Sequence, residues 1–272
     1  MNTFAARATT KTFGPVGECI YCGSMHDLTD EHIIPYGLHG DMVLPRASCR
    51  ICATITSKFE LKVLRGPLQW VRSGLELKSR TPRKGRPTSL PLGVTRDGAT
   101  TIESVPIGDN LHTVILPIYG QPGFLLEAET APGIITKAMY TGHYNHSPDE
   151  VRANLRAEAI SLQLYYPAVE FARMVAKIAY AYAVGVAGIE VVRGARPVSA
   201  ILGKANNIGA WVGTVNEAVQ PLPSSALHTV SLLRDQGHIA ATVCLFSEMP
   251  APLYLVLLKG AGDACRHAAV FP

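Results

Sequence analysis

Runs of β-branched and other apolar residues alternate with turn residues over much of the chain. Four of these runs are typical of β-strands: residues 100–107, 112–119, 238–246 and 252–259. Two longer stretches, 147–162 and 169–188, have helical periodicity, and the first opens with Ser147 and Pro148, which suit a helix N-terminus. Because strands lie on both sides of a helical pair, we predict an α+β fold and not a doubly wound sheet.

The most apolar stretch, residues 168–188, carries Glu170, Arg173 and Lys177 at helical spacing. A helix that crosses a bilayer needs about 20 residues that are predominantly apolar. The pattern therefore predicts a core helix with one polar stripe, and we expect no membrane partner. Because residues 1–18 lack the apolar stretch of a secretory signal, we expect a cytoplasmic protein.

Composition divides the chain into three parts. Residues 80–92 combine three prolines, a glycine and several basic residues, which is typical of a turn-rich linker. We predict a small N-terminal domain over residues 13–65 and a basic linker over residues 66–92. A mixed α+β domain is predicted over residues 93–272, and no motif indicates its role.

Positive charge is concentrated in the N-terminal third. The net charge is +4, but residues 1–98 hold 14 basic against 8 acidic residues, whereas residues 99–272 hold 11 against 13. Eleven of the basic residues fall within residues 46–86, beside only two acids. A field of this density attracts a phosphate backbone, so we expect DNA as a partner; a solvated basic surface without a partner is the alternative.

Four of the six cysteines form two CxxC pairs with 26 residues between them: Cys19, Cys22, Cys49 and Cys52. Two such pairs supply the four thiolates of a closed, tetrahedral structural zinc site. In a reducing compartment, paired cysteines hold metal more often than they form disulfides, which are the alternative together with free thiols. Cys244 and Cys265 lie far from the pairs, in apolar or small-residue contexts, and we expect buried thiols there.

The segment between the pairs has a pattern of its own. DLTDEHIIP, residues 27–35, predicts a short strand that ends at Pro35, and a loop with two glycines follows. After the second pair, the apolar spacing in residues 53–64 predicts a helix. The expected order is strand, loop, cysteine pair and helix, with Glu31 and His32 near the end of the strand.

The combination of CIYC, DEHIIP and CRIC in this order, followed by a short helix, resembles the HNH endonuclease family in its zinc-knuckle subgroup. The resemblance covers residues 19 to about 60. It implies a small, zinc-stabilised ββα-metal domain that hydrolyses phosphodiester bonds in DNA with a divalent metal ion.

On this resemblance, His32 would be the general base that deprotonates water, and Glu31 would bind a catalytic Mg²⁺ or Mn²⁺ ion. A neutral imidazole takes up a proton near pH 7, and a hard carboxylate suits these ions. Asp41 would hold the imidazole in place. Contacts with DNA phosphates are expected from four basic residues: Arg46, Arg50, Lys58 and Lys62.

One position departs from the family pattern. Ala53 stands directly after the second pair, where the family has a His or Asn, and alanine binds no metal. A third ligand would then come from Thr56, Ser57 or Glu60 on the helix, or from His39 in the loop. The alternative function is a non-catalytic zinc-stabilised module with a degenerate site, which binds nucleic acid or a protein.

Overall fold

The computed structural model describes residues 13–221, 226–235 and 237–260. Cys265 and most of the N-terminal stretch considered for a signal peptide lie outside these ranges. The architecture is mixed α+β, with 30% helix and 33% strand, and this confirms the predicted class at that level. Among the described residues, no helix has the length and apolar character needed to cross a membrane.

Strands and helices alternate irregularly along the chain. The strands are β1 Leu28–His32, β2 Val43–Cys49, β3 Ser89–Arg96, β4 Ala99–Pro106, β5 Thr113–Tyr119, β6 Thr136–His143, β7 Ala159–Ser161, β8 Val212–Val219, β9 His228–Asp235, β10 His238–Leu245 and β11 Ala251–Lys259. The helices are α1 Arg50–Arg65, α2 Gln69–Gly74, α3 Pro148–Asn154, α4 Ala168–Ala187, α5 Ile189–Val192, α6 Val198–Ile201 and α7 Ile208–Trp211.

All the strand pairs within the described ranges are antiparallel. The largest sheet has the order β8, β11, β10, β9, and a three-stranded sheet has the order β4, β3, β7. β1 pairs with β2, and β5 with β6, as two separate hairpin-like ladders. The hairpin of β1 and β2 leads directly into α1, so that the N-terminal part has the order strand, strand, helix.

The four strands predicted from the sequence correspond to β4, β5, β10 and β11. The helix predicted over residues 147–162 ends early, at Asn154, because residues 159–161 pair with the edge of β3 instead. Its N-terminus is as predicted: the Ser147 side chain accepts from the backbone N–H of Glu150, whose carboxylate accepts from the N–H of Ser147.

The N-terminal helix also differs from its prediction. α1 begins at Arg50, three residues earlier than expected, so Cys52 lies in its first turn. β2 was not predicted as a strand, although it buries Leu44 and Ala47. It pairs with β1 along one edge, and short apolar runs in the sequence do not predict this contact between the two segments.

α4 is the helix around which the main core forms. Residues on most of its surface are buried, and it packs against β10, β9 and β11 on one side and α1 on another. The polar stripe predicted on α4 faces α1. Glu170 pairs with Lys62, and the guanidinium carbon of Arg173 lies 4.7 Å from the centre of the Phe59 ring.

Buried apolar residues of the main core come from both ends of the described chain, from Phe13 to Leu258. A smaller core, formed by β3, β4, α3 and neighbouring residues, includes Leu92, Val105 and Val151. Within the segment predicted as a linker, α2 buries Trp70, and β3 begins before the segment ends. The boundaries predicted at residues 65 and 92 remain predictions.

His228, the first residue of β9, joins the large sheet to the turn between β1 and β2. Its Nε2 donates to the Leu38 carbonyl at 2.8 Å, and its Nδ1 accepts from the Phe246 backbone N–H at 3.0 Å. Burial lowers the pKa of His228 to about 4, and the charge of nearby His39 acts in the same direction. The ring is therefore neutral in the folded protein near pH 7.

Acidification is expected to destabilise the fold through His228, by about 2 to 3 kcal/mol. The unfolded chain takes up this proton near pH 6.5, whereas the folded ring stays neutral down to about pH 4, so the loss develops between these values. Urea unfolding of wild type and His228→Gln at about pH 7 and about pH 4.5 measures it. An equal loss in both proteins would assign the pH dependence to other groups.

Candidate metal centre and arginine-lined cleft

The four cysteines of the two CxxC pairs form one cluster. The sulfur atoms of Cys19, Cys22, Cys49 and Cys52 all lie within 4.8 Å of one another. The Cys22 and Cys49 sulfurs are 3.7 Å apart, too far for a disulfide. Four sulfurs about 2.3 Å from a tetrahedral zinc ion would be about 3.8 Å apart. The cluster therefore fits a metal ion such as zinc.

Backbone bonds shape the first cysteine pair into a tight turn. Gly23 donates to the Cys19 carbonyl at 2.8 Å and has φ = 73°, a conformation that glycine adopts without a steric cost. Cys19 donates to the Ser24 carbonyl, and Ile20 to the Ala47 carbonyl of β2. The second pair is placed by secondary structure, because one of its members ends β2 and the other lies in the first turn of α1.

Two residues from the C-terminal part of the chain form hydrogen bonds with residues next to the first cysteine pair. The Tyr180 hydroxyl of α4 donates to the Ile20 carbonyl at 2.5 Å. The Arg193 guanidinium forms a two-bond pair with the Glu18 carboxylate, at 2.5 and 2.9 Å. Since these contacts join residues more than 150 positions apart, the four-cysteine cluster and the main core are parts of one packed structure.

Glu31 and His32, at the end of β1, have different surroundings. Glu31 is 5% exposed, while His32 is partly buried. The register between β1 and β2 shifts between Thr29 and Glu31, at the position where the Asp30 carboxylate accepts from the Arg46 backbone N–H. Both Glu31 and His32 line a cleft, but the Glu31 carboxylate is buried in its wall, whereas the His32 ring is partly exposed to it.

The Glu31 carboxylate is held by a lysine of α4. Lys177 Nζ lies 2.7 Å from Glu31 Oε1 and 3.0 Å from Glu60 Oε1, and only 1% of its side chain is exposed. The same ammonium donates to the backbone carbonyl of His32 and reaches that of Ile33 at 3.4 Å. Although burial opposes the charged form, the two carboxylates raise the pKa of Lys177, which keeps the ammonium charged.

These contacts do not fit the catalytic metal ion implied by the resemblance. A magnesium ion takes oxygen ligands at about 2.0 to 2.1 Å and keeps several waters. A divalent ion at Glu31 Oε1 would meet the ammonium of Lys177 at close range and be repelled. The arrangement does bring Glu60, one of the candidate third ligands, to the same place as Glu31, but both carboxylates contact Lys177.

His32 faces the cleft without a hydrogen bond to its ring in the described part of the chain. The Tyr36 ring meets it edge-on, with the ring centres 5.6 Å apart. Burial lowers the pKa of His32, and the charges of Lys177 and Arg80 add to this effect. The imidazole is therefore neutral near pH 7, and a neutral imidazole can accept a proton.

Asp41, expected to hold the His32 ring, lies elsewhere. Its carboxylate accepts a hydrogen bond from Lys78, whose ammonium lies 5.7 Å from the centre of the Tyr36 ring. Among the described residues we find no bond between Asp41 and His32. The observed contacts therefore do not support Asp41 as the residue that orients the imidazole.

The cleft, with a volume of about 1310 Å³, runs past the end of β1, one face of α1 and the segment that follows α2. Among the described residues, five arginines line it: Arg50, Arg65, Arg72, Arg80 and Arg86. Four acidic residues also belong to the lining: Asp30, Glu31, Glu60 and Glu76. Arg72 is partly committed to the backbone, because it donates to the Gly37 and Leu64 carbonyls. A guanidinium binds two phosphate oxygens at once, so this lining suits a phosphate backbone.

The structure separates the four basic residues expected to contact phosphates. Only Arg50 lines the cleft. Lys58 is exposed on another part of α1, and Lys62 pairs with Glu170 at 2.7 Å. Arg46 is exposed in β2. The other arginines of the cleft belong to the basic run over residues 46–86, which was the sequence signal for them.

Lys177 is the residue of this site that sequence reasoning missed. It was recognised as part of a polar stripe on an apolar helix, but its partners lie about 120 and 145 positions away in the chain.

The chain was compared with protein families, curated proteins and solved structures. No family model, no curated protein and no solved structure matches it.

Proposed function

We propose that the protein is an HNH-like endonuclease that hydrolyses phosphodiester bonds of DNA bound in the arginine-lined cleft. The four-cysteine cluster would hold a structural zinc ion and so fix the hairpin of β1 and β2 on α1. One observation carries the proposal: the neutral imidazole of His32 opens into a cleft lined by five arginines. A base and a phosphate-binding surface are thereby combined in one place.

In this proposal, His32 accepts a proton from a water molecule, and the resulting hydroxide attacks phosphorus. The bond from phosphorus to the leaving sugar oxygen breaks, and that oxygen takes up a proton from solvent. Arg80 would bind the non-bridging oxygens, on which negative charge develops. Its charge already acts on the His32 ring, so base and guanidinium face the same part of the cleft.

A second function is favoured by the contact between Glu31 and Lys177. Because this ammonium fills the place of the expected catalytic ion, the site would be degenerate. The protein would then bind DNA without cutting it, and the zinc centre would only stabilise the binding surface. Such binding depends on salt, because arginines release counterions from the phosphate backbone.

We expect His32→Ala to reduce the rate of DNA cleavage by about 10²- to 10⁴-fold, the contribution of a general base. Nicking of a supercoiled plasmid measures the rate. His26→Ala is the matched control, since His26 is exposed and does not line the cleft. In the wild type, the acidic limb of the pH–rate profile should lie below pH 6.5, the ordinary pKa of histidine.

DNA binding is measured in parallel, over a range of salt concentrations. We expect His32→Ala and His26→Ala to bind DNA with the affinity of the wild type. Equal cleavage by wild type and His32→Ala would remove His32 from the mechanism. Absence of cleavage by all three proteins, together with binding that weakens steeply with salt, would establish the non-catalytic function instead.

A further inference from the structure

We infer that the ammonium group of Lys177 is the resident cation of the carboxylate pair formed by Glu31 and Glu60, and that it keeps divalent ions out of this place. The resemblance assigns Glu31 to a divalent metal ion, so the inference concerns a difference between this chain and that family. Its evidence is the set of contacts around a single buried nitrogen atom.

Four oxygen atoms surround this nitrogen. They are the carboxylate oxygens of Glu31 and Glu60 and the backbone oxygens of His32 and Ile33. Carboxylates and backbone carbonyls are the ligand types that hard divalent cations, calcium above all, take in proteins. These four oxygen atoms form a small cage of the kind that binds a cation, and the ammonium of Lys177 occupies it.

The charges around the cage also favour a bound cation. Two carboxylates contact one ammonium, so full ionisation of these three groups leaves one excess negative charge, which the charge of Arg80 partly offsets. Burial raises the pKa of Glu60, and the neighbouring Glu31 adds to this, so that the pKa stays above its usual value although Lys177 and Arg80 act in the opposite direction. The Tyr21 hydroxyl, on which the charges of Glu31 and Glu60 act, is buried and has no hydrogen-bond partner among the described residues. It therefore does not supply the missing positive charge.

Removal of the ammonium should therefore turn the cage into a divalent-cation site. Lys177→Met is the suitable change, because methionine keeps most of the apolar stem but is one atom shorter, which leaves the position of Nζ open. The buried carboxylate of Glu31 and the partly buried one of Glu60, without the ammonium between them, would then attract a doubly charged cation strongly. Lys177→Arg retains a positive charge and is the matched control.

The experiment titrates the zinc-loaded full-length protein with calcium chloride by calorimetry and follows thermal unfolding at each concentration. We expect Lys177→Met to bind one calcium ion at least about tenfold more tightly than wild type or Lys177→Arg, with a matching rise in Tm. The double variant Lys177→Met/Glu31→Gln should lose this binding, because it removes one of the two carboxylates.

Two results would overturn the inference. One is calcium binding by the wild type that Glu31→Gln abolishes, since the cage would then accept a divalent ion beside Lys177. The other is a Lys177→Met protein whose stability calcium does not raise. If this variant is unfolded without calcium, circular dichroism shows whether calcium restores the fold, and failure to do so counts against the inference.

A further arm rests on the proposed function. If Lys177 supplies the cation, wild-type cleavage of DNA should continue in a chelator that leaves the bound zinc in place, as checked by elemental analysis. Cleavage that stops under these conditions and returns with magnesium would contradict the inference. Complete absence of cleavage would count against the nuclease proposal alone, because the calcium measurements do not depend on activity.

Discussion

Replacement of Cys52 by serine is expected to abolish zinc binding and to destabilise the protein by about 5 kcal/mol or more. Structural zinc contributes about 10 to 16 kcal/mol of apparent binding free energy in small zinc-finger peptides, and this energy is coupled to folding. A whole domain is stable by only about 5 to 15 kcal/mol. Cys52 lies in the first turn of α1, and its thiolate would link this turn, through the zinc ion, to the hairpin of β1 and β2. Loss of the thiolate removes this link.

The same substitution at Cys244 is the control. Cys244 is buried in β10, away from the cluster, and a serine there buries a hydroxyl at a cost of about 1 to 3 kcal/mol. Zinc content by elemental analysis should be one ion per chain in wild type and Cys244→Ser and near zero in Cys52→Ser. Purified wild-type protein without zinc, or equal stability of the two variants, would rule out the metal centre.

The second large effect is expected at Lys177. In a calcium-free buffer, Lys177→Met should lower the free energy of unfolding by about 3 to 5 kcal/mol, the usual result of removing one partner from a buried ion pair. The buried Glu31 and the partly buried Glu60 would lose the ammonium that contacts both carboxylates, and the His32 carbonyl would lose its donor. Chemical denaturation at neutral pH measures the loss.

Glu170→Gln provides the comparison, because Glu170 lies on the same stripe of α4 and pairs with the exposed Lys62. Surface pairs of this kind contribute about 0 to 1 kcal/mol. The variant Lys177→Met/Glu31→Gln/Glu60→Gln should recover part of the stability lost in Lys177→Met, since no buried charge remains. If Lys177→Met and Glu170→Gln cost the same, the buried cluster does not stabilise the fold.

Local signals accounted for much of what was predicted correctly. The two CxxC pairs predicted the four-sulfur cluster, because each pair offers two thiolates a few positions apart and four thiolates complete a tetrahedral zinc site. Ser147 and Pro148 marked a helix start for the same local reason. The periodicity of residues 169–188 revealed α4 and its polar stripe, since burial of one helical face imposes a repeat on the sequence.

Sequence expectation and structure differ where a contact between distant segments decided the local structure or the bonding partner. Residues 159–161 continue a helical pattern, yet they form β7, because the open edge of β3 offers backbone partners. Asp41 was assigned to the imidazole by its place in a loop, but Lys78 is the partner that the fold brings to it. Neither the edge of β3 nor Lys78 lies among the few residues around the position concerned, so local patterns do not predict either contact.

The sequence by itself determined the four cysteines of the cluster, the position of Glu31 and His32 at the end of a strand, and the helix that carries Lys177. Only the tertiary structure decided that the ammonium of this helix lies between Glu31 and Glu60, and that arginines from three segments line one cleft. The physical reason is that charge compensation in a buried place acts through space: a lysine lowers the free energy of carboxylates at 3 Å, whatever the number of residues between them.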